Sequence, residues 1–159
     1  MSYPADDAEI LKFIYREARL IDEGRLKEWH ALWTDDPLYL VPCNDANVDT
    51  AKQVSIIFDD GRRLEERIFR LTNADAHSQE PRSRVTHLVT GVEVYRDDPG
   101  EVRVHAALII VEVRKGEQEI YAGRADYRLA VLDGEIKLAE KRVFLTRNDS
   151  PLGNLTFII

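Results

Sequence analysis

Cysteine is nearly absent from this chain, since Cys43 is the only one in 159 residues. A disulfide within the chain and a multi-cysteine metal site each need at least two cysteines, so both are excluded. A lone thiol fits a reducing compartment, and we therefore expect a cytoplasmic protein.

Long apolar runs and an excess of basic residues are also missing. No uncharged stretch approaches the roughly 20 apolar residues that cross a bilayer, and residues 1–7 are acidic, unlike a secretory signal. Lysine and arginine number 22 against 29 aspartate and glutamate residues, which gives a net charge of −7. That charge repels nucleic-acid phosphates and anionic membranes, so we expect neither as a partner.

The sequence does contain enough apolar residues, 44%, for one hydrophobic core, and we predict a single domain over residues 1–159. Apolar side chains recur every three or four residues in three segments, which predicts amphipathic helices over residues 7–22, 26–32 and 61–71. Trp29 and Trp33 continue the apolar spacing of the second segment and should cover the core. Asp35, Asp36 and Pro37 are typical of a turn that ends this helix.

The other regular segments alternate with period 2 or form short apolar runs, and both patterns predict strands. They cover residues 38–41, 54–58, a stretch from Arg84 onward, 102–114, 119–132, 135–146 and 155–159. Short connections such as Lys115-Gly116 and Asp133-Gly134 require the long strands to be antiparallel. Helices first and a twisted antiparallel sheet second predict an α+β fold, with the helices across one face of the sheet.

Five segments, in order along the chain, resemble one protein family. They are FIYREARLIDEGRLKEW (13–29), RLEERIFRL (63–71), EPRSRVTHLVTGVEV (80–94), DGEIKLAEKRVFL (133–145) and NLTFII (154–159). Together they are similar to the small (β) subunits of Rieske-type aromatic-ring-hydroxylating dioxygenases, a branch of the NTF2-like (SnoaL-like) superfamily. The third segment is the most specific, although Thr90-Gly91 stands where the family usually has Ser-Asn. The resemblance implies an NTF2-like cone, with N-terminal helices packed on a strongly curved, mainly antiparallel sheet.

By this resemblance, the chain is expected to be a non-catalytic accessory subunit in the catabolism of aromatic compounds. It would support a large α subunit that carries a Rieske 2Fe-2S cluster and a mononuclear iron, in an α3β3 assembly built on a trimer of small subunits. A ferredoxin and a reductase would be indirect partners that deliver electrons for dihydroxylation of the ring. We expect no cofactor in this chain, because a Rieske cluster needs two Cys and two His ligands and only one cysteine is present.

Charged residues alternate with core residues on the predicted strand 119–132, where Arg124, Asp126 and Arg128 share one side. The following strand adds four more charges, Lys137, Glu140, Lys141 and Arg142. Two interpretations stay open: a solvated face with weak ion pairs, or a face buried against another subunit. By the resemblance, we expect four arginines at subunit contacts, namely Arg84, Arg124, Arg128 and Arg142.

A different class of function is also open, a stand-alone NTF2-like dehydratase or isomerase with a carboxylate or histidine base and a tyrosine hydroxyl that polarises a carbonyl. Its parts would be Asp36, Tyr39, His87 and His105. In the plainer interpretation, Asp36 is a turn residue and Tyr39 is a core aromatic with a solvated hydroxyl. His87 and His105 could share a metal only if the strand register brings them together. A homodimeric ligand-binding module is a third possibility, which no residue favours.

Overall fold

The computed structural model of the protein describes residues 5–42, 55–73, 82–147 and 156–159. In chain order these contain α1 (Asp7–Asp22), α2 (Leu26–His30), β1 (Trp33–Pro42), β2 (Ser55–Asp59), α3 (Gly61–Thr72), β3 (Arg84–Tyr95), β4 (Glu101–Arg114), β5 (Glu117–Leu132) and β6 (Glu135–Leu145). Helices precede a long sheet, so the predicted α+β class is confirmed. Cys43 lies outside the described residues.

Helix α1 begins with a capping box. The Asp6 carboxylate accepts a hydrogen bond from the Glu9 N–H (2.8 Å), and the Glu9 carboxylate accepts one from the Asp6 N–H (3.0 Å). These two bonds satisfy backbone donors that the start of a helix leaves free. The helix stops before Gly24, whose φ of 69° lies in the left-handed region that glycine adopts without strain. Its buried side is formed by Ile10, Ile14, Glu17, Ala18, Leu20 and Ile21.

The other two helices are shorter. Helix α2 ends at His30, so it is shorter than the predicted segment 26–32, and α3 covers Gly61–Thr72, close to the predicted 61–71. Asp60 caps α3 by accepting a hydrogen bond from the Arg63 N–H (3.0 Å). Among the described residues, no helix combines the length and the apolar character needed to cross a membrane.

The described strands form one sheet in the order β2-β1-β6-β5-β4-β3. Each neighbouring pair is antiparallel except β1 and β6, which are parallel. The two-residue turns Lys115-Gly116 and Asp133-Gly134 have positive φ at both positions, the geometry that matches the right-handed twist of a hairpin. The predicted antiparallel arrangement of the long strands is therefore confirmed.

The turn predicted at Asp35, Asp36 and Pro37 is wrong, because these residues lie within β1. The pairing of β1 with β6 is irregular between Trp33 and Leu38. Such an irregularity accommodates a proline, since the missing N–H then interrupts no regular ladder bond. Composition alone indicated a turn here, whereas the structure has a bulged strand.

The strand predicted over residues 155–159 is wrong for its described part, because residues 156–159 form no strand. Phe157, Ile158 and Ile159 are nevertheless buried. Their apolar character reflects packing into the core, which sequence alone does not distinguish from pairing in a sheet. Leu155 lies outside the described residues.

Strand β4 distinguishes the two faces of the sheet. Its even-numbered residues from Val102 to Ile110 are buried, whereas Arg103, His105 and Ile109 are exposed. We call the buried side the inner face and the other side the outer face. The residues of the inner face belong to one hydrophobic cluster with the three helices and with Phe157, Ile158 and Ile159. The helices thus cover one face of the sheet, as predicted.

Three aromatic rings lie at the centre of the core. Trp29 packs edge-on against Trp33 and Tyr39, with ring centroids 5.4 and 6.1 Å apart, and Trp33 lies 6.3 Å from Tyr39. Both tryptophans are buried, which confirms their predicted place in the core.

Candidate subunit interface

The four arginines predicted at subunit contacts all lie on the outer face. Residues directly opposite each other in neighbouring strands share a face. The register sets Arg84 opposite Val113, Arg124 opposite Ala107, Arg128 opposite Arg103, and Arg142 opposite Asp126, which is itself opposite His105. The partners on β4 are odd-numbered and point outward. Three separate strands therefore contribute these arginines to one surface.

A charged band crosses this surface and consists of Glu101, Arg103, His105, Asp126, Arg128, Glu140 and Arg142. Arg128 lies at its centre, where the guanidinium contacts Glu101 at 3.5 Å and Glu140 at 3.4 Å. Glu101 also contacts Arg103 at 3.4 Å, and Glu140 also contacts Arg142. Charges of opposite sign thus alternate across three strands, and all of these side chains except Glu101 line a depression of about 340 Å³. Each such exposed pair contributes only about 0–1 kcal/mol to the stability of the fold.

His105 belongs to the charged band and not to the interior. Its Nδ1 lies 2.5 Å from Asp126 Oδ1, and its side chain is half exposed. The ring packs edge-on against Tyr95, with centroids 5.1 Å apart. The Tyr95 hydroxyl donates to the Glu93 carboxylate at 2.7 Å, and this bond raises the pKa of Tyr95 because the neutral phenol is the donor.

Arg84 and Arg124 are exposed and form no ion pair within the described part of the chain. The side chains of Arg128 and Arg142 are 40% and 34% exposed although they bind carboxylates. Arginine forms planar, two-pronged hydrogen bonds that suit buried contacts between subunits. All four are therefore available for contacts with a partner.

An apolar band adjoins the charged one on the same face and consists of Leu88, Ile109, Val111, Ile120 and Ala122. Leu88 lies opposite Ile109, which lies opposite Ala122, and Val111 lies opposite Ile120. Leu88, Ile109 and Ile120 are 50%, 43% and 56% exposed. Adjacent exposed aliphatic side chains on a sheet often mark a protein contact.

The interior of the cone holds a group of polar side chains that the sequence analysis missed. This interior polar cluster consists of Glu17, Trp29, Trp33, Tyr127 and Lys141. Glu17 Oε1 accepts hydrogen bonds from Trp29 Nε1 and from Lys141 Nζ, both at 2.8 Å. Lys141 therefore does not belong to the charged band of the outer face, unlike its strand neighbours Glu140 and Arg142. It alternates with Glu140 and Arg142 along β6 and points inward.

Tyr39 also lies on the inner face, where the strand register places it directly opposite Lys141 on one side and Asp59 on the other. The prediction of a solvated Tyr39 hydroxyl is wrong: the hydroxyl is buried, donates to the Ile159 carbonyl and accepts from the Ile159 N–H, each at 3.0 Å. Burial raises the pKa of Tyr39, since the phenolate would lose its hydration. Asp59 forms an ion pair with Arg67, which ties α3 to β2.

The four residues of the dehydratase alternative do not form one site. Asp36 is exposed on β1, Tyr39 is buried in the core, and His105 lies on the outer face. His87 is opposite Ile110 on the inner face, so the register separates it from His105. Its Nδ1 lies 2.6 Å from Asp22 Oδ1, and the Asp22 carboxylate also accepts the His87 backbone N–H.

No metal centre is evident in the residues that can be described. Within them, no three histidine, cysteine, aspartate or glutamate side chains are grouped so that they could hold an ion. His87 and His105 do not pair on a metal because they lie on opposite faces of the sheet.

Comparisons with known proteins point to one family. The family model described as "Ring hydroxylating beta subunit" matches residues 16–149. The small oxygenase component of the p-cumate 2,3-dioxygenase system of Pseudomonas putida is 36% identical over 140 residues, which cover 87% of this chain and 78% of that protein. The 2-halobenzoate 1,2-dioxygenase small subunit of Burkholderia cepacia is 30% identical over 146 residues, covering 89% and 88%.

Solved structures show the same fold. The β subunit of the benzoate 1,2-dioxygenase from Burkholderia mallei matches with a TM-score of 0.79 at 24% identity, over 99% of each chain. Together with likeness to a protein described as NTF2-like, this confirms the predicted NTF2-like fold.

Proposed function

The chain belongs to the family of ring-hydroxylating β subunits, and from this premise we propose that it acts through its outer face, in assembly rather than in catalysis. It is the β subunit of an aromatic-ring-hydroxylating dioxygenase, a multicomponent oxidoreductase. The resemblance found in the sequence segments is thereby confirmed. Such a system implies a large α subunit as the partner.

One observation carries the proposal of an assembly role: the inner face of the sheet is filled by the chain's own helices, while the outer face presents the charged and apolar bands. The charged band contains nearly equal numbers of cations and anions. A copy of the same chain could therefore pair its arginines with the carboxylates of its neighbour. This supports self-association. From the family resemblance we propose that the assembly is a trimer, with Arg84, Arg124, Arg128 and Arg142 at subunit contacts.

In this proposal, the α subunit carries out the oxidation chemistry. The α subunit would hold the Rieske 2Fe-2S cluster and the mononuclear iron, in an α3β3 hexamer that a ferredoxin and a reductase supply with electrons in the cytoplasm. The single cysteine supports this division, because a Rieske cluster needs two. The stand-alone dehydratase is not proposed, since its four residues lie apart.

The proposed substrate class is a single-ring aromatic carboxylate. Two relatives are named for p-cumate and 2-halobenzoate, both carboxylated benzene rings. Oxygen uptake by the reconstituted system should be faster with benzoate-type substrates than with an uncharged bicyclic ring. The reverse preference would contradict this assignment.

Assembly can be tested by co-expressing the chain with its α subunit and measuring the mass and iron content of the product. We expect a coloured complex of hexameric mass from the unaltered chain. Arg124→Glu places a negative charge next to the charged band without removing any described ion pair. If the outer face is buried in the assembly, this change should weaken association about tenfold or more, because like charges brought together at an interface repel each other.

Arg62→Glu is the matched control, because it makes the same charge reversal on the exposed side of α3. The Arg62 side chain is 76% exposed, and its guanidinium contacts the Glu66 carboxylate one turn further along the helix surface. We expect normal assembly of this variant. Equal behaviour of the two variants, or a stable monomer from the unaltered chain with its α subunit, would refute the proposed role of the outer face.

A further inference from the structure

Three polar atoms of the interior polar cluster have no hydrogen-bond partner among the described residues. They are Glu17 Oε2, Trp33 Nε1 and the Tyr127 hydroxyl, and all three are buried. Native proteins satisfy nearly all buried polar groups, with protein atoms or with ordered water. Three such atoms in one small region therefore require an explanation.

The three residues lie at or next to one ion pair. Glu17 Oε1 is already used by Trp29 and Lys141, which leaves Oε2 as the free acceptor. Trp33 packs edge-on against Trp29 at 5.4 Å, and the Lys141 ammonium lies 5.7 Å from the centre of the Tyr127 ring. Tyr127 and Lys141 are directly opposite each other on β5 and β6. A free acceptor, a free donor and a hydroxyl that can do both thus belong to residues at or beside the same ion pair.

We propose that this cluster is an internal hydration site, where one or two ordered water molecules bridge Glu17 Oε2, the Tyr127 hydroxyl and Trp33 Nε1. A buried water typically makes two to four hydrogen bonds, and these groups supply the required mixture of donors and acceptors. Trp29, Trp33 and Tyr39 pack edge-on against one another beside Glu17, so we expect an occupant no larger than water. The water also completes the hydrogen bonds of the Glu17 carboxylate, which a buried ion pair needs to remain favourable.

The sign of a stability change tests the proposal. If water binds the Tyr127 hydroxyl, Tyr127→Phe removes a satisfied hydrogen bond and should lower the folding equilibrium constant about fivefold. If the hydroxyl is unpaired in a dry core, the same change removes an unsatisfied polar group and should raise that constant. A raised constant in urea unfolding of the full chain would overturn the proposal.

Tyr121→Phe is the matched control. The Tyr121 hydroxyl donates a long hydrogen bond of 3.4 Å to Glu112, in a half-buried position. Its loss should change the folding constant by less than about twofold.

A crystal structure of the full chain gives the direct measurement. We expect a solvent peak at about 2.6–3.2 Å from Glu17 Oε2, which disappears or moves in Tyr127→Phe. A direct bond between Tyr127 and Glu17 with no solvent peak, or density for a larger molecule, would overturn the proposal.

Discussion

Replacing Lys141 by methionine tests the buried ion pair most directly. The side chains of Lys141 and Glu17 are each 1% exposed, and Nζ lies 2.8 Å from Oε1. Methionine keeps much of the apolar stem but removes the charge, which leaves the Glu17 carboxylate in the core without its cation. Breaking a buried pair in this way costs about 3–5 kcal/mol. That is a large share of the about 5–15 kcal/mol by which a domain is stable.

The assay is thermal and urea unfolding followed by tryptophan fluorescence, at fixed protein concentration. Trp29 and Trp33 are both buried, so their emission reports on the core. A loss of this size should lower the thermal midpoint by about 6–20 °C, at about 2–4 °C per kcal/mol for a chain of this length.

Lys137→Met provides the control on the same strand. Lys137 donates to the Ala31 carbonyl at 2.8 Å but is 29% exposed, so its loss should cost about 1 kcal/mol or less. The double variant Glu17→Met, Lys141→Met should cost less than the two single changes together, because neither charge is left alone. The reasoning is refuted if Lys141→Met is no worse than Lys137→Met, or if the two single effects simply add.

Two further changes test how the sheet is held. Asp22→Ala removes the acceptor of the His87 backbone N–H and imidazole, so we expect a loss of about 1–3 kcal/mol and faster hydrogen exchange of the His87 amide; unchanged exchange would contradict this. Gly123→Ala places a Cβ against the Phe144 carbonyl and 3.0 Å from Leu145 Cα, where the backbone of β6 must shift. We expect a cost of about 1–3 kcal/mol in urea unfolding, and a neutral effect would show that β5 and β6 lie farther apart.

Periodicity predicted most of the regular elements because it depends on short stretches of chain. The apolar spacing of α1 and the period-2 alternation of β4 and β5 each follow from burial of a single face. Composition was misleading where the same residue type is common in two kinds of local structure. Asp36 and Pro37 suit a turn but lie in a bulged strand, and Phe157 suits a strand but fills the core.

The interior polar cluster could not be predicted from the sequence. Glu17 shares the helical spacing of Ile10, Ile14 and Ile21, and Lys141 lies two residues from the buried Val143 on the same face of β6, so the burial of each had a signal in the sequence. Their pairing had none, because 124 residues separate them and only the packing of α1 on the sheet brings them together. Likewise, alternation placed Arg124 and Arg128 on one face, but their neighbours depended on the strand register.

The parallel pairing of β1 with β6 has a consequence for how the protein is made. β1 needs β2 and β6 as neighbours, and β6 is the last of the described strands to leave the ribosome. Until then, one edge of β1 has no partner strand, and Tyr39 lacks its neighbour Lys141. Contacts between distant parts of a chain form slowly, and unpaired edges invite aggregation. The unpaired edge of β1 is therefore open to non-native pairing until β6 has been synthesised.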